Sequence, residues 1–196
     1  QHKLVDLEIE QQINTEIVGC IYKGVVKNIV PAVDGIFVDI GIGKNAFLRR
    51  KDLLNEKRFP TEGSPILAQV IKSDTDMKGA LITEKISMFG KYAVTLSGTG
   101  YIGVSKKIRQ ESVRKRLKEI GKEICAEHMG LIIRTAAENA DMDEFRKDIT
   151  RLKENWDIIQ KRFRMEKSPT LLYRESDIIV KALRDYVNKG TEILIT

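Results

Sequence analysis

Very little in this chain suits covalent, redox or metal chemistry. Among 196 residues there are only 2 cysteines and 2 histidines. Cys20 and Cys125 lie far apart amid mixed apolar and charged neighbours, which indicates neither a disulfide framework nor a zinc site. Both read as buried, reduced thiols. His2 and His128 are too separated for a metal cluster, and neither belongs to a nucleophile–base motif. No apolar run approaches the ~20 residues a membrane span needs, and Gln1-His2-Lys3-Leu4 has none of the marks of a secretory signal. The expectation is a soluble, cytoplasmic protein without a transmembrane segment. Carboxylates are plentiful but fall mostly in amphipathic helical patterns opposite Lys and Arg, where a solvated face explains them. No catalytic constellation stands out.

Positive charge is in modest excess. Lys and Arg number 34 against 28 Asp and Glu, for a net charge of +6, which favours a polyanion such as nucleic acid over an acidic protein partner. The length allows a real core and more than one domain. Between roughly Thr15 and Ile86 short strands alternate with close turn signals, the pattern of a small OB-type barrel rather than a βαβ unit. The strands are expected at Ile17 to Val30, Gly35 to Ile40, Asn45 to Leu48, Pro65 to Lys72 and Ala80 to Ile86, punctuated by Pro31, Gly35, Gly41, Gly43, Pro60 and Gly63. In Gly35-Ile36-Phe37-Val38-Asp39-Ile40-Gly41 the alternation turns Ile36, Val38 and Ile40 inward and Phe37 outward. A second Phe follows in Lys44-Asn45-Ala46-Phe47-Leu48, with Lys23, Lys27, Lys44 and Lys78 supplying positive charge. Exposed aromatics among lysines let such barrels stack bases while tracking a phosphate backbone. On the residues alone, either Phe serves equally well as core.

After Ile86 the character changes. Gly90 to Leu96 alternates, glycines at 98 and 100 interrupt, and Tyr101 to Ile108 follows. Glu111 to Ile124 reads as a helix with Val113, Leu117, Ile120 and Ile124 on one face. A long helix begins near Asp141 and carries Phe145, Ile149, Leu152, Trp156, Ile159 and Phe163 as a stripe, ending at Ser168-Pro169. Leu171 to Tyr173 is extended, and Ser176-Asp177 can cap a last helix with Ile179, Leu183 and Tyr186 or Val187. Leu4 to Glu10 and Glu192 to Thr196 read as strands of one sheet split in sequence. Neither end shows a polar tail, so the chain is expected to be a fragment of something longer.

Between the two helices lies the apolar strand Gly130-Leu131-Ile132-Ile133, ending in Arg134 and Thr135. A guanidinium fork beside a hydroxyl suits a terminal phosphate. An ion pair between Arg134 and a nearby carboxylate is the alternative, and on the residues alone the commoner one.

Taken in order, Ile21-Tyr22-Lys23-Gly24, Phe37 to Gly41, Lys44 to Leu48, Gly103-Val104-Ser105-Lys106-Lys107-Ile108, Gly130 to Ala136 and Arg184-Asp185-Tyr186 resemble the ribonuclease E/G family over nearly the whole chain. The resemblance implies an α+β architecture. A split RNase H-like domain at 1–15 and 180–196 would receive an inserted OB-type RNA-binding barrel at 16–85 and a five-prime sensor of mixed α/β structure at 86–179. It also implies that Arg134 and Thr135 hold the monophosphorylated end of single-stranded RNA, with Gly90 and Val94 lining that pocket. Phe37, Phe47 and Lys78 would grip the strand, joined by Lys44 and by Lys106. Relatives often carry Arg-Arg where this chain has Lys106-Lys107, so a bidentate contact becomes a point charge there.

By the same resemblance the parent is a homo-oligomeric endoribonuclease of RNA processing and decay, acting on single-stranded, often A/U-rich RNA. Its Mg²⁺-binding aspartates and zinc link would reside in a catalytic domain outside these residues, so this portion is expected to bind RNA without cutting it and to hold no cofactor of its own. Two other readings stand beside it. One is a non-catalytic RNA-binding barrel protein of translation or the ribosome. The other is a scaffold segment whose Phe163 stripe docks a partner.

Overall fold

The computed structural model describes residues 17–125, 129–174, 180–182 and 184. The terminal strands expected near Leu4 and Glu192, most of the last helix, and with them the split RNase H-like domain, lie outside the described residues.

Five strands close the barrel: β1 (Ile21–Val30), β2 (Gly35–Asp39), β3 (Ala46–Arg49), β4 (Pro65–Lys72) and β5 (Leu81–Thr83). Their order is β1-β2-β3-β5-β4, and β4 pairs back to β1 to complete the ring, with β3 and β5 parallel and the other pairs antiparallel. Closure removes the free edges of so short a sheet. The period-two pattern decides what goes inside: Val26, Ile36, Val38, Leu48, Ala68, Val70 and Ile82 form a buried core. β1 begins at Ile21 rather than Ile17, because Gly19 takes a positive φ of 86° in the turn before it.

The second unit is built on a four-stranded sheet of order β6-β7-β9-β8, from Ser87–Phe89, Ala93–Ser97, Met129–Ile133 and Ile102–Val104 respectively. Two differences from the sequence expectation matter. Gly90, Lys91 and Tyr92 form the turn joining β6 to β7 rather than the start of a strand. β9 ends at Ile133, which leaves Arg134 and Thr135 beyond its end. Helices α1 (Glu111–Ile124) and α2 (Met142–Met165) cover one face of this sheet. The Asp141 carboxylate caps α2 by accepting the amides of Asp143 and Glu144 at 2.9 and 3.2 Å. Phe145, Ile149, Leu152 and Ile159 are buried in the shared core, with Trp156 and Phe163 packed against it. The helix stripe thus packs within the chain, which removes its use as a partner's docking face.

The two units are joined through β10 (Thr170–Tyr173), which pairs with β1 and so belongs to the barrel sheet. Lys23 was expected to add charge to the RNA face. It is instead buried: its ammonium donates to the Glu166 carbonyl at 2.6 Å, where α2 ends, and lies 5.1 Å from the Phe163 ring centroid. The buried Gln69 amide, on β4, donates to Ser87 O at 2.8 Å and accepts from Ser87 N at 2.9 Å. Arg162 pairs with Glu166 and donates to the carbonyls of Leu171 and Leu172. Cys20 is buried as expected, whereas Cys125 is only partly buried, and burial pushes the Cys125 thiol up to about 11.

Candidate nucleic-acid interface

On the barrel, Phe37 and Phe47 are cross-strand neighbours in register on β2 and β3. Their ring centroids stand 5.4 Å apart at a 52° tilt, and neither belongs to the buried core. Phe37 keeps 36% of its surface exposed. Gly35 makes room for this pair, since a Cβ there would lie 2.3 Å from Phe47 Cζ. The ring therefore lies across the glycine instead of standing off the sheet.

Lys78 is exposed in the loop between β4 and β5, in a tight turn where its amide donates to Thr75 O at 3.3 Å and Thr75 N donates back to Lys78 O at 2.8 Å. Lys44 holds this turn, donating its ammonium to the carbonyls of Thr75 and Asp76 at 2.8 and 2.9 Å. Its first action is thus to place Lys78. At Gly79 a Cβ would meet the Asn45 carbonyl at 1.9 Å, so the chain after Lys78 runs hard against the strand bearing Phe47. Lys27 is paired with Asp39 at 3.4 Å.

The second cluster sits where β8 and β9, which are parallel, both end. Arg134 continues the ladder by donating its amide to Tyr92 O at 2.8 Å, and its Nη1 donates to the Gly90 carbonyl at 2.9 Å. The guanidinium is thereby tied to the β6–β7 turn. Thr135 opens a single 3-10 turn, Thr135–Ala137, and its Oγ1 lies 3.0 Å from Ser105 Oγ at the end of β8. Ser105 Oγ in turn accepts the Lys107 amide at 3.3 Å. Val94, partly exposed, pairs with Ile132 on β9. Lys106 is exposed on the turn following Ser105. Arg134, Thr135, Gly90 and Val94 are thus brought to one rim, with Lys106 beside them. The phenylalanine pair and Lys78 are on the other unit.

The sequence reading missed the residue that shapes this rim. Asp148 is only 7% exposed, and its carboxylate accepts the amides of Lys91 and Tyr92 at 3.2 and 2.8 Å and pairs with Arg151 at 3.1 Å. A carboxylate one place before Ile149, on the apolar stripe of α2, was the available signal. Tyr92 completes the support: its hydroxyl donates to Glu144 at 2.7 Å, and burial together with that carboxylate pushes it up to about 12. Among the described residues, no three His, Cys, Asp or Glu side chains form a group able to hold a metal ion. None of their helices is long and apolar enough to cross a membrane.

A closed barrel with an exposed aromatic pair, fused to a sheet-and-helix unit with a cationic rim, defines an α+β protein of the nucleic-acid-binding class. Comparison narrows this. Residues 16–83 match the S1 RNA binding domain and residues 87–196 match the Ribonuclease E/G family. The chain belongs to the ribonuclease E/G family, and its barrel is an S1-type RNA-binding domain. It is similar to Ribonuclease G of Escherichia coli (strain K12), at 34% identity over 202 residues that cover 94% of this chain and 41% of the relative. It is also similar to Ribonuclease E of Synechocystis sp., at 34% identity over 96% of the chain and 30% of the relative. For Ribonuclease E of Buchnera aphidicola the identity is 33%, over 98% of the chain and 22% of the relative. The chain therefore spans about two fifths or less of the length of these curated relatives.

Proposed function

We propose that this chain is the substrate-binding portion of an endoribonuclease and selects single-stranded RNA by a five-prime monophosphate. The observation that carries the reading is the pairing of Arg134, tied at 2.9 Å to the Gly90 carbonyl, with the Ser105–Thr135 hydroxyl pair at one rim of the sheet. A guanidinium is a planar fork of N–H donors whose geometry suits phosphate oxygens, and a hydroxyl beside it adds a donor. Phe37, Phe47 and Lys78 hold the strand further along by stacking and charge. Two modest contacts in one chain reinforce each other through effective concentration.

Hydrolysis belongs to a part of the parent outside these residues, where Mg²⁺ would polarise the phosphate and a zinc link would join subunits of a homo-oligomer. The donor sets described here do not fit either metal, and no step of this reading passes through one. The protein acts in the cytoplasm, on RNA undergoing processing and decay.

The test is titration of fluorescent oligonucleotides with a five-prime monophosphate, hydroxyl or triphosphate. The monophosphate form is expected to bind best, with Arg134→Ala abolishing the difference. Equal affinity for all three ends would sink the sensor reading. Binding weakens steeply with salt if phosphates are neutralised, whereas the loss in Phe37→Ala persists at every salt concentration.

A further inference from the structure

Among the described residues, α1 and α2 pack on one face of the four-stranded sheet, and Arg184 reaches Phe89 at its edge. On the other face, Phe89, Val94, Ile132 and Gly103 are direct cross-strand neighbours, running through β6, β7, β9 and β8 in turn. Phe89 is 45% exposed and Ile132 40% exposed. Gly103 carries no side chain, and its space is taken by Tyr101: a Cβ at Gly103 would lie 2.8 Å from the Tyr101 ring. That ring lies across the end of the row and is itself 62% exposed. The result is an apolar floor with an aromatic at each end, spanning about 14 Å across four strands.

This floor is continuous with the proposed phosphate site. Arg134 follows Ile132 by two residues, which keeps it on the same face, and Val94 belongs to both. Cations stand at its margins. Arg184 donates to the Phe89 carbonyl at 3.1 Å with its guanidinium 5.8 Å from the Phe89 ring centroid, and Lys106 lies beyond Gly103 on the opposite edge.

We infer that this sheet face is a base-stacking platform for the nucleotides immediately behind the five-prime end, with Phe89 and Tyr101 as its two stacking residues. Exposed aromatics on a flat sheet are how single-stranded RNA is held when its bases are splayed, and every base offers a π-face. The apolar floor takes bases and the flanking cations take phosphates, a division that suits RNA better than an apolar protein surface. The inference rests on the monophosphate-sensing reading, and it adds a preference for unpaired nucleotides directly after the end.

The experiment measures binding of a monophosphorylated single strand by the full chain and by Phe89→Ala and Tyr101→Ala. It is repeated with abasic sites at the second and third nucleotides. Each substitution is expected to weaken the intact strand about fivefold or more, to leave the monophosphate-over-hydroxyl ratio unchanged, and to have little further effect on the abasic strand. Circular dichroism checks that the exposed-residue variants fold. Unchanged affinity in both folded variants overturns the platform, as does a loss equal on intact and abasic strands. Self-association of the chain that Tyr101→Ala abolishes also overturns it, by assigning the face to a second copy. Loss of the monophosphate preference in the unaltered chain strikes the underlying sensor reading instead, so the two failures are distinguishable.

Discussion

Gly90 and Asp148 approach so closely that a Cβ on the glycine would sit 2.4 Å from the aspartate Oδ2. Asp148 holds the amides of Lys91 and Tyr92, and Gly90 presents its carbonyl to Arg134, so the pair couples a buried carboxylate to the guanidinium at the rim. Gly90→Ala is expected to displace the turn. Its measure is the ratio of monophosphate to hydroxyl RNA affinity, which should fall toward one, while binding by the barrel aromatics persists.

Ser105 positions Thr135. On the proposed reading an acceptor-only phosphate would take the Thr135 hydroxyl as a donor, leaving Ser105 to donate to Thr135 across their 3.0 Å separation. Ser105→Ala removes that donor and should reduce the monophosphate preference about threefold to tenfold, the scale of one neutral hydrogen bond. Ser105→Thr restores the hydroxyl and should recover most of it. A ratio unmoved by Ser105→Ala would rule out this positioning role.

Gly35→Ala tests the barrel separately. The added methyl meets the outer edge of the Phe47 ring at 2.3 Å, so the ring must leave its present position against Phe37. RNA affinity should drop by about the worth of one weakened stack, near 1 kcal/mol. The monophosphate ratio should not change, because the two clusters lie on different units.

Lys23→Met addresses the joint between units. The substitution keeps the apolar stem but removes the ammonium bonded to Glu166 O at 2.6 Å. The cost should be about 1.5–3 kcal/mol, the range for a hydrogen bond to a charged group. Denaturant unfolding measures it, and a midpoint equal to that of the unaltered chain would show that the contact contributes nothing.

Tyr92 predicts behaviour in alkali. Its hydroxyl is raised from 10.0 to about 12 in the folded chain, first by burial and then by Glu144. The folded state therefore keeps the proton where the unfolded state releases it. The stability associated with this group is fully present below pH 10 and declines as pH rises toward about 12. Tyr92→Phe should flatten that decline in thermal melts recorded across this window.

The local chemistry of the chain determined a great deal. Period-two alternation in Gly35 to Ile40 was enough to turn Phe37 out and three aliphatics in, and the four-three spacing from Phe145 to Phe163 was enough to bury one stripe of α2. The ordered motifs were enough to indicate the family. Such patterns are legible because each depends on one element's own geometry.

Contacts between elements were decided only by the tertiary structure. A lysine near the start of β1 looks like any surface charge until a helix end arrives to accept it. Gly90 to Tyr92 alternates like a strand, and becomes a turn because Asp148, 56 residues beyond Tyr92, accepts its amide. The strand pairings that align Phe89 with Val94 and Ile132 likewise depend on register between distant segments, which no local pattern encodes. Sequence thus set Arg134 and Thr135 side by side after one strand, and the long-range hydrogen bonds of the folded sheet brought them to a common rim with Gly90 and Ser105.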